Sequence, residues 1–204
     1  MKIAGRYSFN GGDAAIKKKY GDLLAEVEHG IAVVDADICK TKRSLEKTMR
    51  GRVLYSPIDL NVAFQQQFYP LGWKPVRVKC DYPKQYYCAG YNPKRSDLSG
   101  FREMDFIKRK LGMEVQLGKY AFMVYNVAAK MTIFKNLGHI DAGVEVVPMK
   151  DLAEQMSTGV SYFEQFVWDL ENRGVSNIDI PVLVIGIDCD PLAVPANKNQ
   201  TKIQ

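Results

Sequence analysis

The stretch DFIKRKLGMEVQLGK, residues 105–119, decides how the chain is read. It predicts two short strands, 105–108 and 113–117, joined by a tight turn at Lys110-Leu111-Gly112. Side chains alternate along a strand, so Glu114 and Gln116 share one face while Met113, Val115 and Leu117 share the other. One face is expected to be wet and the other to join the core. An antiparallel fold-back sets Asp105 close to Glu114, so that two carboxylates and the amide oxygen of Gln116 converge on one spot. Hard oxygen donors of this kind suit Mg2+. Taken alone, a D-x8-E-x-Q spacing on a hairpin is more often structural than catalytic.

Around this hairpin lies enough chain for one well-buried core. With 204 residues, 47% of them hydrophobic, a single domain is expected over 1–204. An excess of 28 Lys and Arg over 23 Asp and Glu gives a net charge of +5, compatible with a nucleic-acid partner but common without one. The four cysteines form no C-x-x-C pair and only two histidines accompany them, which argues against structural zinc. The first residues, MKIAGRYSFN, hold no secretory apolar core, and no apolar run is long enough for a bilayer. A soluble, cytoplasmic protein with no membrane partner and with reduced thiols is expected. No glycine-rich phosphate loop, G-x-S-x-G or internal repeat is present, so the usual cofactor enzymes are not supported.

Upstream, Asp13 reads as the N-cap of an amphipathic helix carrying Ile16, Tyr20, Leu23, Leu24 and Val27, which Gly30 ends. Ile31-Ala32-Val33-Val34 then reads as a short buried strand, and Asp35 and Asp37 as turn or capping residues. Residues 40–52, KTKRSLEKTMRGR, set six cations against Glu46 alone. A helix and loop laid against phosphates and a solvated helix face fit this segment equally well. Ser56-Pro57 opens a second helix with Leu60, Ala63, Phe64 and Phe68 on one side, and 73–82 reads as a strand. The Tyr-, Pro- and Lys-rich segment 83–100, with Lys94 and Arg95, reads either as a loop that hugs DNA or as a variable insertion.

Downstream, 119–137 is apolar around most of its circumference, the pattern of a helix buried on more than one side. A strand over 140–147 ended by Pro148, a short helix over 150–156, and the strand Val182-Leu183-Val184-Ile185-Gly186-Ile187, covered on both faces, complete the pattern. Strands interspersed with helices predict an α/β fold with a mixed sheet. The polar tail 190–204 is expected to be mobile.

The hairpin continues into YAFMVYNVAAKMTIF (120–134), GHIDAGVEVVPMKDLAEQM (138–156) and STGVSYFE (157–164), and is preceded by DADICKTKRSLEKTMRGRVLYSP (35–57). In that order, and over most of the chain, these segments resemble the BglII/BstYI group of restriction endonucleases, most of all on its BstYI side. The hairpin is similar to the broader PD-(D/E)-x-K nuclease pattern with two departures: Met104 stands where that pattern has Pro, and Gln116 where it has Lys. The group shares the glutamine. An amide carries no proton to exchange usefully and can only orient a water or offer its oxygen.

The resemblance implies a restriction-endonuclease-like core, a central mixed β-sheet flanked by helices. It implies Asp105 and Glu114 as metal ligands, Gln116 as the third catalytic member, and Mg2+ as cofactor with Mn2+ able to substitute. Lys119 becomes a major-groove contact, although by residue type alone it is a surface lysine at a helix start. The segment 157–162, a plain loop by composition, becomes a recognition loop with Ser157 and Thr158 toward base edges and Ser161 and Tyr162 toward phosphate or packing. The activity implied is that of a type II restriction endonuclease. It acts as a homodimer on palindromic double-stranded DNA, at a six-base-pair site with a GATC centre, leaves 5′ overhangs, and has a cognate DNA methyltransferase. Two rivals remain at this point: a same-fold repair or defence nuclease without a fixed sequence, and a DNA-binding module whose nuclease site has decayed.

Overall fold

The computed structural model of the chain describes residues 1–94 and 99–189. Arg95 and the tail expected to be mobile lie outside the described residues. The decisive hairpin is present: β5 (Ser99–Lys108) pairs antiparallel with β6 (Leu111–Val115), matching Phe106 with Met113 and Lys108 with Leu111. Its turn falls earlier than expected, at Arg109-Lys110, which hold φ of 46° and 71°. Two central residues in the left-handed region give the turn whose twist suits a two-residue hairpin. Gly112 belongs to the strand instead, and a Cβ there would stand 2.5 Å from the Met104 sulfur.

β4 (Lys74–Asp81) lies on the other side of β5. Lys74 pairs with Ile107 but Val76 pairs with Met104, so β5 carries one extra residue opposite Pro75, which has no N–H to offer the ladder. The bulge re-aims the strand and turns Asp105 toward a cleft while Met104 stays fully buried.

On its other edge β6 runs parallel to β7 (Ala142–Pro148), β7 parallel to β8 (Val182–Asp188), and β8 antiparallel to β1 (Lys2–Phe9). The six-stranded sheet has the order β1-β8-β7-β6-β5-β4 and is mixed, as expected. β1 was not foreseen, although Ile3, Gly5, Tyr7 and Phe9 alternate with more exposed residues along it.

Helices cover both faces. On one, α1 (Gly12–Val33) and α2 (Pro57–Phe68) pack Ile16, Leu23, Val27, Phe64 and Phe68 against Val144, Val146, Leu183 and Ile185. On the other, residues 120–136 form a helix in three parts, α3 (Tyr120–Tyr125), a π turn (Asn126–Lys130) and α4 (Met131–Asn136). After the short α5 (Lys150–Ala153) comes α6 (Phe163–Arg173), which joins this second layer over Val147, Val182 and Val184. Alternate residues of β7 and β8 feed opposite cores, which is why both strands read as unbroken apolar runs.

Four expectations need correction. The first helix starts at Gly12 behind a left-handed Gly11, and Asp13 lies in its first turn, paired with Lys17 at 2.7 Å. It runs through Gly30 to Val33, so Ile31-Ala32-Val33 is its last turn and not a strand. Gly30 is there to admit the Phe68 ring, whose atoms stand 2.5 Å from where a Cβ would sit. The basic segment forms no helix at 42–54: β2 (Lys42–Arg43) pairs with β3 (Val53–Leu54), closed by the amide of Gly51 donating to the Ser44 carbonyl. Finally, the 120–136 helix buries Met123, Val127, Met131 and Phe134 but leaves Phe122 and Ile133 exposed, because only its sheet-facing stripe is covered. Among the described residues no helix is long and apolar enough to cross a membrane.

Candidate active site

A cleft of about 770 Å3 opens between the hairpin and the 120–136 helix, lined by Asp105, Glu114, Gln116, Asn126 and Lys130, with Asn61 of α2 at its side. The hairpin brings Asp105 and Glu114 together through its register. The two carboxyl groups lie close enough for each to alter the other's proton affinity, and Asp105 Oδ2 accepts from the Val115 amide at 3.2 Å.

The face carrying Glu114 is not wet, as the alternation had suggested; all of β6 is buried, and Glu114 is 3% exposed. The helix above it makes the difference. Burial disfavours the charged carboxylate, and Asp105 beside it adds like-charge repulsion, so the Glu114 carboxyl is pushed up to about 8. Asp105 is shifted upward too, first by burial, with the Val115 amide and Lys130 pulling against it.

Three further residues meet here that the sequence reading did not single out. Glu145, register partner of Glu114 on β7, is fully buried and is held well above the usual carboxylate range by desolvation and then by Glu114. Asn126 donates from Nδ2 to Glu145 Oε1 at 3.0 Å and to Gln116 Oε1 at 3.4 Å, while Glu145 Oε2 has no partner. Lys130 Nζ lies 2.8 Å from Glu114 Oε1, a close contact without the alignment of a hydrogen bond. The signals were present: one acid inside GVEVV, and an amide and a cation, Asn126 and Lys130, in the middle of a mostly apolar helix.

Asp105 and Glu114 fit a hard divalent cation: both line an open cleft, and a cation there would offset the like-charge repulsion between them. Among the described residues no group of three His, Cys, Asp or Glu side chains is arranged to hold a metal. Remaining ligands would be water or phosphate oxygens, the habit of Mg2+ rather than of a protein-caged ion.

The residues expected on the DNA side are gathered on one neighbouring surface. Lys119 is exposed and bridges to Val160, which stitches the end of the hairpin to the 157–162 loop. Ser157 Oγ and Thr158 Oγ1 donate to Glu46, as does the Thr158 amide at 2.8 Å, so the lone acid of the basic segment organises this loop. These hydrogen bonds hold the Glu46 carboxyl down at about 2. Ser161 is buried, and its hydroxyl donates to the Gly118 carbonyl at 2.9 Å, a packing role rather than an open one. Tyr162 is half-buried at the start of α6 with the Lys150 ammonium 5.9 Å from its ring centre.

Comparison with known proteins gives a consistent result. Residues 4–187 match the family model described as restriction endonuclease BglII/BglIII. The type II restriction enzyme BglII of Bacillus subtilis is 25% identical over 153 residues, 72% of this chain. The match spans 61% of that enzyme's own length. Among solved structures, BglII complexed with a DNA 16-mer superposes with a TM-score of 0.68 at 20% identity, over 93% of this chain and 79% of the other. Free BglII gives 0.60 at 21% identity, over 93% and 81%. The structural likeness establishes the shared fold. These likenesses are to BglII, and do not measure the nearer kinship with BstYI expected from the sequence.

Proposed function

Because the chain belongs to the BglII/BglIII restriction endonuclease family, we propose that it is a type II restriction endonuclease that hydrolyses both strands of a palindromic DNA site. The observation that carries this reading is the convergence of Asp105 and Glu114 on an open cleft that Gln116, just past the end of β6, also lines. In this reading Asp105 and Glu114 hold Mg2+, with Mn2+ able to replace it, and Gln116 is the third catalytic residue.

A phosphodiester resists attack because its anionic oxygens repel a nucleophile. A divalent ion at the site would supply neutralisation of that charge and of the departing 3′-oxygen. The protein supplies position. Asp105 is fixed by the Val115 amide, and the Gln116 amide, steadied by Asn126, orients a water. Buried walls around Glu114 and Glu145 keep the local dielectric low, so that charges there act strongly.

Recognition is assigned to the adjoining surface. Lys119, Ser157 and Thr158 face base edges, and Ser161 and Tyr162 support the loop or a phosphate. The likeness to BglII bound to DNA supports a duplex partner. Two-fold symmetry matched to a palindrome makes a homodimer the natural assembly. A six-base-pair site with a GATC centre, 5′ overhangs and a cognate methyltransferase follow from the resemblance to the BglII/BstYI group.

The test is digestion of unmethylated phage DNA by the purified protein in Mg2+, with and without EDTA, followed by sequencing of the fragment ends. Discrete metal-dependent fragments ending at one GATC-centred palindrome are expected. Smears would instead indicate a nuclease without fixed sequence, and a gel shift with no cutting in Mg2+ or Mn2+ a binding module.

A further inference from the structure

Among the described residues, the nuclease reading leaves Lys130, a charged group deep in the cleft, without a part. Lys130 ends the π turn of the helix above β6, its side chain is 11% exposed, and its ammonium sits on Glu114. Stability does not explain it. Taking an ammonium out of water to sit on a buried carboxyl group costs about as much as the contact returns, and an apolar side chain of similar volume would fill the position at least as well. Its helical neighbours Val127, Met131 and Phe134 are already apolar and fully or almost fully buried. π turns are uncommon and collect at functional sites; this one presents Asn126 and Lys130, one turn apart, to the paired Glu145 and Glu114 on one face of the sheet.

Nearby, Gln116 offers an uncharged amide where a charge would be useful. Arg102, the other cation lining the cleft among the described residues, is tied at its rim to the Tyr125 hydroxyl at 2.7 Å.

We propose, resting on the nuclease reading, that Lys130 is a catalytic residue: its ammonium, held on Glu114 in the metal-free protein, bonds a non-bridging oxygen of the scissile phosphate and supplies the fixed positive charge that Gln116 lacks. Water oxygen bonds to phosphorus, the bond from phosphorus to the 3′-oxygen breaks, and the proton that water gives up goes to solvent, which protonates the leaving oxygen. Lys130 stays an ammonium on both sides of the step. Its charge matters most as the phosphorane-like charge builds, so it acts on the rate more than on binding.

The experiment compares wild type, Lys130→Met, Lys130→Arg and the double variant Lys130→Met/Gln116→Lys of the full chain. Single-turnover cleavage in Mg2+, binding of the specific duplex in EDTA, and thermal melting are measured for each. Lys130→Met should cut about 100-fold more slowly or worse, the range for losing one fixed donor to a developing anion. Its specific binding should stay within about threefold of wild type and its melting should be no lower. Lys130→Arg should keep a larger share of the rate, and placing the charge at 116 in the double variant should recover at least about tenfold over Lys130→Met. Cutting by Lys130→Met at the wild-type rate overturns the proposal alone. Loss of cutting together with equal loss of binding and folding, with no recovery in either charged variant, also overturns it and makes Lys130 structural. A wild type that cuts no DNA overturns the nuclease reading and this proposal with it.

Discussion

Replacing Glu114 by Gln tests the electrostatics of the cleft without any substrate. The Glu114 carboxyl is pushed up to about 8 in the fold, against an ordinary value of 4.5 that it regains on unfolding. Between these two values the folded chain binds the extra proton, so its stability falls as pH rises, at up to about 1.4 kcal/mol per pH unit for a single group. The penalty is small at and below the unfolded value, grows above it, and levels off above about 8. Glutamine mimics the protonated acid at every pH and escapes the penalty. In EDTA, the variant should therefore gain on wild type by about 3 kcal/mol between pH 5.5 and pH 8.0. Lys130 keeps the same neutral neighbour in the variant as in protonated wild type, so its own burial largely cancels. Urea denaturation of both proteins at the two pH values measures the gap. Parallel stability curves, with the gap constant to within about 0.5 kcal/mol, would refute the reasoning, because they would mean that Glu114 is ionised and solvated in the fold.

Further outcomes follow from other parts of the structure. Asp105→Asn should abolish cleavage, by about 100-fold or more, while leaving specific DNA binding in EDTA largely intact; unchanged cutting would remove Asp105 from the site. Lys119→Ala should weaken discrimination at one base pair more than it weakens non-specific binding, read from Kd on single-substituted duplexes; equal loss on all sequences would make it a phosphate contact. The Glu46 carboxyl lies below its unfolded value, so its contribution is present above that value and is lost as pH falls through about 2. Glu46→Gln should remove most of this contribution at neutral pH and speed hydrogen exchange of the Thr158 amide, which an unaltered exchange rate would contradict. Gly30→Ala should cost about 1–3 kcal/mol in chemical denaturation, because the added methyl meets the Phe68 ring in a filled core.

How much of this was legible beforehand differs from element to element. The two strands of the hairpin, the start of α2 and the double-faced β8 were readable because each is fixed by local spacing: a turn between two alternating runs, a proline at the first helical position, an unbroken β-branched run; the turn itself sits one residue earlier than that spacing suggested. Capping was misread at Asp13 because a left-handed Gly11 and the Ser8 hydroxyl, which accepts from the Asp13 amide, set that end of α1 instead. Gly30 looked like a stop signal and proved to be space for an aromatic ring supplied by α2, a partner 38 positions away in sequence that no local pattern names.

The sequence by itself named the acids of the hairpin, but the register that sets Asp105 opposite Glu114 came with the Arg109-Lys110 turn, one position earlier than the spacing had put it. It did not determine what those acids would be like. Their raised proton affinity comes first from burial under the 120–136 helix laid over β6 and, for Glu114, then from Asp105 beside it. The same packing delivers Lys130 to Glu114 and Glu46 to the 157–158 loop. Pairing of neighbouring strands is a short-range property that spacing encodes, whereas desolvation and Coulomb interaction depend on whatever else occupies the surrounding volume, and that is settled only when distant segments pack.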